Sequence, residues 1–337
     1  VTGPATELLT PAEPEAGAAP ASGPRQVRRR LRARKSALAA AAVLGLLVLL
    51  ALAAPLLAAL EGQDPNTYHD ALVDSARGGV PFGDFGGISA EHWLGVEPGT
   101  GRDLFVRLVY GARVSLLVAI GATLVQVLTG VGVGMAAALG NRFADSVLSH
   151  LTDVMITMPM LVFAIALMAV VPADFPRPVL LVIAIGLLAW GGMARLVRAQ
   201  TMSLMKLDFV SAARLTGGST WRLARRELLP SLAAPVITYA AVLLPSNIVL
   251  EASMSFLGVG VKPPTPSWGH MLSTATTWFR ADPMYVLLPA LMLFVTTLAF
   301  TVLGDGVRAA LDPREASRLR VGRNRRAART SGAGGAA

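Results

Sequence analysis

Few residues in this chain are placed to do chemistry. Asn247 and Glu251 stand four apart in an otherwise apolar stretch, a spacing that lets a carboxamide and a carboxylate meet on one face of a helix. An ionisable group is costly in such surroundings, and two roles account for one: lining or gating a solute pathway, or tying helices together from inside. Asp153 is the only other acid read as a candidate within a span, and its place at the start of that run fits an interfacial position. The histidines His69, His92, His150 and His270 include no i, i+4 pair that would hold a metal. H-E-x-x-H, G-x-S-x-G and phosphate-loop motifs are missing, and so is cysteine, so no residue is assigned a catalytic or metal-binding role.

The elements that must position these residues follow from composition. Of 337 residues, 53% are hydrophobic and 15% charged, with a mean hydropathy of +0.57, which leaves too little polar surface for a soluble globule. Charge-free runs cover residues 37–60, 114–139, 154–173, 178–194, 228–250 and 283–304. Roughly 20 helical residues cross a bilayer core of about 30 Å. The fourth run is short but extends to Gln200, so the reading is an all-α protein with six transmembrane helices. Gly130 and Gly134 form a G-x-x-x-G in the second span, where small residues let helices approach closely.

The net charge of +9 raises nucleic acid as a partner, but the basic residues lie between the apolar runs and not on one amphipathic face, so no nucleic-acid partner is expected. They are topology signals instead. Both tails, the turn at Arg142 and residues 195–227 hold 23 of the 30 Lys and Arg, which places them in the cytoplasm with both termini. Residues 61–112, with eight Asp and Glu, then face outward. The Pro/Ala/Gly-rich, then basic, segment 1–36 and the basic tail 307–337 are read as disordered, and the basic cluster before the first span as a positive-inside anchor that also meets membrane lipid.

Between the fourth and fifth spans, residues 203–230 are too patterned for a mere connector. Ser211 is expected to cap a short helix through Ala212, Ala213, Arg214 and Leu215, ended by Gly217 and Gly218, with a second helix from Thr220 to Leu229. The two alanines, flanked by Phe209 and Leu215, offer a smooth face suited to a groove on another protein. On the outer side, Leu104, Phe105, Leu108 and Val109 share one helical face, as in a helix lying in the interface before the second span or in an extension of that span. Pro263, Pro264 and Pro266 stiffen the segment after the fifth span, and Trp268 fits headgroup depth, so Pro263, Pro264 and Trp268 form a candidate docking rim.

The spacing Ala212-Ala213, Gly217, Leu229-Pro230 resembles the E-A-A loop of ATP-binding-cassette importer permeases, with Ser211 where that family has Glu and Glu227 where a hydrophobic residue is common. Two longer stretches, His92–Leu117 and Glu251–Leu272, resemble the C-type permeases of the dipeptide/oligopeptide branch, as do Leu303-Gly304-Asp305-Gly306 and Leu311-Asp312-Pro313. The resemblance covers roughly residues 92–313 and implies a type I importer permease core over 113–306, with 207–230 as the loop that couples to an ATPase.

It further implies a bacterial inner-membrane subunit that is not itself an enzyme and binds no cofactor, ATP and Mg being used by two cytoplasmic ATP-binding subunits. A second homologous permease and an external solute-binding protein would complete the assembly. The alternative is a stand-alone secondary transporter or facilitator, in which the loop is only a connector; scarce intramembrane charge disfavours proton coupling.

Overall fold

The computed structural model describes residues 24–172, 174–215 and 219–311. Thirteen α-helices lie among them: α1 (Pro24–Ala33), α2 (Lys35–Leu52), α3 (Ala54–Glu61), α4 (Leu104–Leu139), α5 (Arg142–Thr157), α6 (Met160–Val170), α7 (Arg177–Leu188), α8 (Gly191–Leu204), α9 (Asp208–Leu215), α10 (Thr220–Leu223), α11 (Leu229–Phe256), α12 (Trp268–Ala275) and α13 (Pro283–Leu311). Four runs are long and apolar enough to cross a membrane: α2, α4, the stretch Thr220–Phe256 and α13. The pairs α5/α6 and α7/α8, bent by 89° and 42°, bring the number to the expected six when each counts as one span.

The third span is therefore no single straight rod. Its break falls at Met158-Pro159, where the proline holds the preceding residue in an extended conformation (φ −68°, ψ 129°). Segment 1–36 needs correction as well. Residues 24–33 are helical, and the Arg30 guanidinium donates to the Ala310 carbonyl at 3.3 Å, docking α1 on the end of α13. Residues 307–311 likewise continue α13, whereas 1–23 and 312–337, including Asp312 and Pro313, lie outside the described residues.

At the centre runs α4, packed by α2, α3, α5, α7, α8, α11 and α12. Its amino end is capped by Asp103, which accepts the Val106 N–H at 2.8 Å. No separate interfacial helix precedes it. The helix runs unbroken from Leu104 to Leu139, and Leu104, Leu108 and Val109 are buried against protein, so of the two readings, interfacial helix or extension of the second span, the extension holds.

Small residues permit the close crossings. A Cβ on Gly130 would meet the Met193 side chain at 2.6 Å, and one on Gly134 would meet Val197 Cβ at 2.9 Å, so the G-x-x-x-G is the seat of α8 on α4. In the same way Gly186 of α7 faces Val125 of α4, and Gly306 of α13 faces Ala37 of α2.

Residues 62–103 fold into a polar cap over one end of the bundle. It contains a two-stranded antiparallel ladder, β1 (Val73–Asp74) and β2 (Val80–Pro81), with Val73 opposite Pro81. Its anchor is the buried Glu97 carboxylate, which accepts from Arg107 Nε at 2.6 Å and Arg102 Nε at 2.9 Å. Arg107 Nη1 also donates to the Pro65 carbonyl at 2.8 Å and the Pro264 carbonyl at 3.3 Å, so one guanidinium of α4 joins the cap to the segment after α11. Beside it, Glu61 at the end of α3 accepts the Trp93 N–H at 2.7 Å, and Asp103 pairs with His92 Nδ1 at 2.8 Å. Burial, with the Asp103 carboxylate nearby, pushes the Glu61 carboxyl up to about 7.

Two outcomes are expected. Gly134→Leu inserts a side chain where backbone and Val197 stand, a loss of about 1–3 kcal/mol or more; Gly132→Leu, which enters open space, is nearly silent. Thermal unfolding in detergent separates the two. Because the folded Glu61 holds its proton above its ordinary value of 4.5, its contribution to stability is complete below that pH and lost as pH rises toward 7. Glu61→Gln should flatten the fall in unfolding temperature between pH 5 and pH 7.5, and an unchanged slope would discount this carboxyl.

Candidate functional site

The segment joining the fourth and fifth spans folds into a short helical hairpin. Its first helix, α9, starts at Asp208, earlier than expected: the Leu207 carbonyl accepts the N–H groups of Val210 at 3.1 Å and Ser211 at 3.3 Å. Asp208 suits that position, since a carboxylate in the first turn complements the helix dipole. Ser211 is therefore an exposed second-turn residue and not the cap, and the cap of the next helix is Ser219, whose Oγ accepts the Arg222 N–H at 3.3 Å. The second helix also departs from its expected bounds. After α10 the backbone widens into a π-helical turn over Ala224–Leu228 and runs directly into α11, so Leu229 and Pro230 open the fifth span, with Pro230 at the junction of the π turn and α11.

The hairpin is bolted down from within. Val210, Leu223 and Leu228 are buried together against Met135 and Leu139 at the end of α4 and Leu204 of α8, with Ala213 half-buried beside them. Its other face has no covering among the described residues: Phe209, Ser211, Ala212, Leu215 and Trp221 are exposed, Leu215 at 89% and Trp221 at 73%. Sequence reasoning passed over Trp221, although a lone tryptophan beside Arg222, Arg225 and Arg226 is a signal, because a solvated basic loop has no use for an indole. Arg214 belongs to α9, and Gly217 lies outside the described residues. At the same end, Arg198 of α8 grips Asp145 of α5 through Nε–Oδ1 (2.6 Å) and Nη2–Oδ2 (2.8 Å), and Arg195 pairs with Asp153 at 2.6 Å, which places Asp153 in an exposed ion pair.

Asn247 and Glu251 occupy the inner face of α11, against α4. Glu251 is wholly buried; its Oε2 accepts from Ser115 Oγ and its Oε1 from Ser255 Oγ, both at 2.8 Å. One helical turn away, Asn247 Nδ2 donates to Thr123 Oγ1 at 2.8 Å and Gln126 Oε1 at 3.0 Å, while Gln126 Nε2 donates back to Asn247 Oδ1 at 3.1 Å and to the Ile185 carbonyl of α7 at 3.2 Å. The two do not bond each other; each is tied to α4, and Ser115, Thr123 and Gln126, which sequence reasoning missed, are the other half of that tie.

The opposite side of α11 borders a groove against α13 of about 630 Å³, with Thr238, Ser246, Ser253, Thr297, Thr301 and Asp305 among its walls. Pro245 donates no N–H to the Ala241 carbonyl, and Gly304 of α13 comes so near that its Cβ would stand 3.1 Å from that oxygen. The docking rim needs one correction. Pro263 and Pro264 are exposed, but Trp268 is 0% exposed, wedged against Gly111 with its indole N–H donating to the Leu108 carbonyl at 3.0 Å; it is a core residue of the bundle.

Comparison with known proteins places this geometry. Residues 130–317 match the model of the binding-protein-dependent transport system inner membrane component, and residues 24–74 match that of the N-terminal TM domain of oligopeptide transport permease C. The oligopeptide transport system permease protein OppC of Escherichia coli K12 is 36% identical over 289 residues, 86% of this chain and 90% of that protein. The dipeptide transport system permease protein DppC of Alkalihalophilus pseudofirmus is 31% identical over 290 residues, again 86% and 90% of the two chains. The glutathione transport system permease protein GsiD of Pectobacterium atrosepticum is 36% identical over 228 residues, 68% and 74%. The chain belongs to the family of binding-protein-dependent transport system inner membrane components.

Proposed function

We propose that this chain is one of two related permease subunits of an ATP-driven importer for dipeptides, oligopeptides or similar small solutes. The relatives named for oligopeptide, dipeptide and glutathione transport support the substrate class. The observation that carries the reading is the hairpin of α9 and α10: an apolar surface of Phe209, Ala212, Leu215 and Trp221 held on a buried core that belongs to α4 and α8. An exposed apolar patch at a polar end of a membrane protein calls for a protein partner, and a rigid mount makes the patch a lever. Two cytoplasmic ATPases would seat it, consuming ATP with Mg; an external solute-binding protein would deliver solute at the cap. The excess of Lys and Arg around the hairpin and both tails supports a cytoplasmic position for them in a bacterial inner membrane.

In this scheme nucleotide binding favours one arrangement of the paired ATPases and so one position of the hairpin. Motion of the hairpin is passed to α4 through Met135 and Leu139 and to α8 through Leu204. The tie through Ser115, Glu251, Gln126 and Asn247 makes α4 and α11 move as one body, while the open side of α11, with Ser246 and Ser253, faces the solute path. No observation favours a stand-alone facilitator, in which an anchored apolar hairpin has no use.

Three measurements test this. Leu215→Cys places the only thiol of the chain on the exposed patch; a short thiol-to-amine cross-linker in native membranes should yield an ATPase subunit as the main adduct, and a labelled loop without that adduct would sink the coupling role. Phe209→Ala with Leu215→Ala should lower uptake at least tenfold while membrane insertion and unfolding temperature stay unchanged. Glu251→Ala strands two buried hydroxyls at about 1–3 kcal/mol each and should lower stability, whereas Glu251→Gln should keep most of it; a selective change in solute preference with normal stability would instead put Glu251 in the path.

A further inference from the structure

Away from the hairpin and the tie, one cavity joins the polar cap to the start of α13. It measures about 570 Å³, and Pro81, Asp84, Phe85, Gly86, Asp282 and Met284 are among its walls. Two carboxylates stand there with no basic side chain among the lining residues. Asp84 is exposed at the mouth. Asp282 is only 4% exposed, and its two oxygens differ: Oδ1 caps α13 by accepting the N–H groups of Met284 at 3.1 Å and Tyr285 at 3.4 Å, while Oδ2 is buried without any hydrogen-bond partner.

That second oxygen faces Gly86 in the cavity wall, 3.1 Å from where a Cβ on Gly86 would stand. A buried carboxylate oxygen without a donor is costly. Burial already raises the Asp282 carboxyl above its ordinary range, a state that an approaching cation reverses.

The chemistry that would satisfy this pocket is narrow. An anion is repelled by both acids, and an apolar group leaves Asp282 as it is. Among the described residues no group of three or more His, Cys, Asp or Glu could hold a metal ion, and the cavity is far larger than a bare ion needs. What remains is a cation at the end of an apolar stem. Pro81, Phe85 and Met284 supply walls for the methylenes, the Phe85 ring adds attraction for a cation near its face, and Asp84 and Asp282 supply the charge. Phe85 holds a left-handed backbone (φ +53°) between glycines at 83, 86 and 87 that do the same, and its side chain is 67% exposed at this rim.

We infer that this cavity receives one lysine or arginine side chain of the external solute-binding protein, with its cationic end directed at Asp84 and Asp282. The inference rests on the importer reading, and it moves the docking contact from the Pro263–Trp268 rim to the cap. Charge complementarity is the reason for choosing a protein side chain: the cap is acidic, and a side chain offered by a docked protein arrives with its stem already extended along the apolar wall.

The test uses the assembled transporter in native membranes. Asp84→Cys introduces the chain's only thiol at the mouth, and a short thiol-to-amine cross-linker should join it to a lysine of the solute-binding protein. An Asp84→Cys thiol that reacts with maleimide equally fast with and without the docked binding protein, and gives no such adduct, overturns the proposal. In purified assemblies Asp282→Asn, which keeps the oxygen that caps α13, and the exposed-rim variant Asp84→Asn should each weaken capture of the binding protein at least fivefold, with the loss shrinking as salt is raised. Equal capture by the wild type and both variants overturns the proposal, as does protection of the thiol by n-butylguanidinium alone with no effect of the binding protein. The Leu215→Cys adduct with the ATPase is read in parallel. Its persistence while the cap adduct is missing removes the pocket assignment and leaves the importer standing; loss of both removes the importer reading itself.

Discussion

Glu251 accepts hydrogen bonds at both carboxylate oxygens, one from α4 and one from its own helix, with no access to solvent. In an apolar bundle such a group admits little slack, because any separation of α4 from α11 strands a carboxylate and its hydroxyl donors where water cannot replace them. The reciprocal amide pair of Gln126 and Asn247 repeats the same constraint further along the two helices and adds the Ile185 carbonyl of α7. Three spans are fixed in register by this ladder, and the remaining packing is built outward from it by glycine-mediated contacts at Gly130, Gly134 and Gly186.

That rigidity explains the division of labour on α11. One face is committed to the tie, and the other, bearing Ser246 and Ser253, is left beside the groove toward α13. The prolines at 235 and 245 stand in a helix that is supported along its inner side, and Gly304 lets α13 approach the carbonyl that Pro245 leaves without its usual donor. At one end of the bundle the hairpin of α9 and α10 is mounted on α4 and α8 through Val210, Leu223 and Leu228. At the other, Arg107 of α4 clamps the cap and the segment after α11 through Glu97, Pro65 and Pro264. The same helix therefore anchors a folded element at each end of the bundle.

Much of this was legible in the residues. The long charge-free runs fixed the class as a helical membrane protein, the bias of Lys and Arg marked the loop between the fourth and fifth spans, and the spacing of Ala212, Ala213 and Leu215 pointed to an interaction surface there. Hydropathy and charge pattern act locally, so a linear reading captures them. Pro159 as a break and Gly130 and Gly134 as a crossing point are also local signals, although their consequences, an 89° bend and the seat of α8, depend on what lies opposite.

What the sequence by itself determined is thus the apolar spans, the candidate hairpin and the polar residues that must find partners. Tertiary structure alone decided which partners they found. Glu251 has no evident partner on another helix until Ser115, 136 positions away, is brought to 2.8 Å. Trp268 reads as an interfacial anchor until Gly111 and the Leu108 carbonyl enclose it, and Leu104 to Val109 read as a surface helix or as an extension of the second span until Leu104, Leu108 and Val109 are seen buried. Asp282 gains meaning only where Gly86 crosses it. The reason is common to all four: side-chain type states the cost of leaving a group unsatisfied or exposed, but only long-range packing states which other group removes that cost.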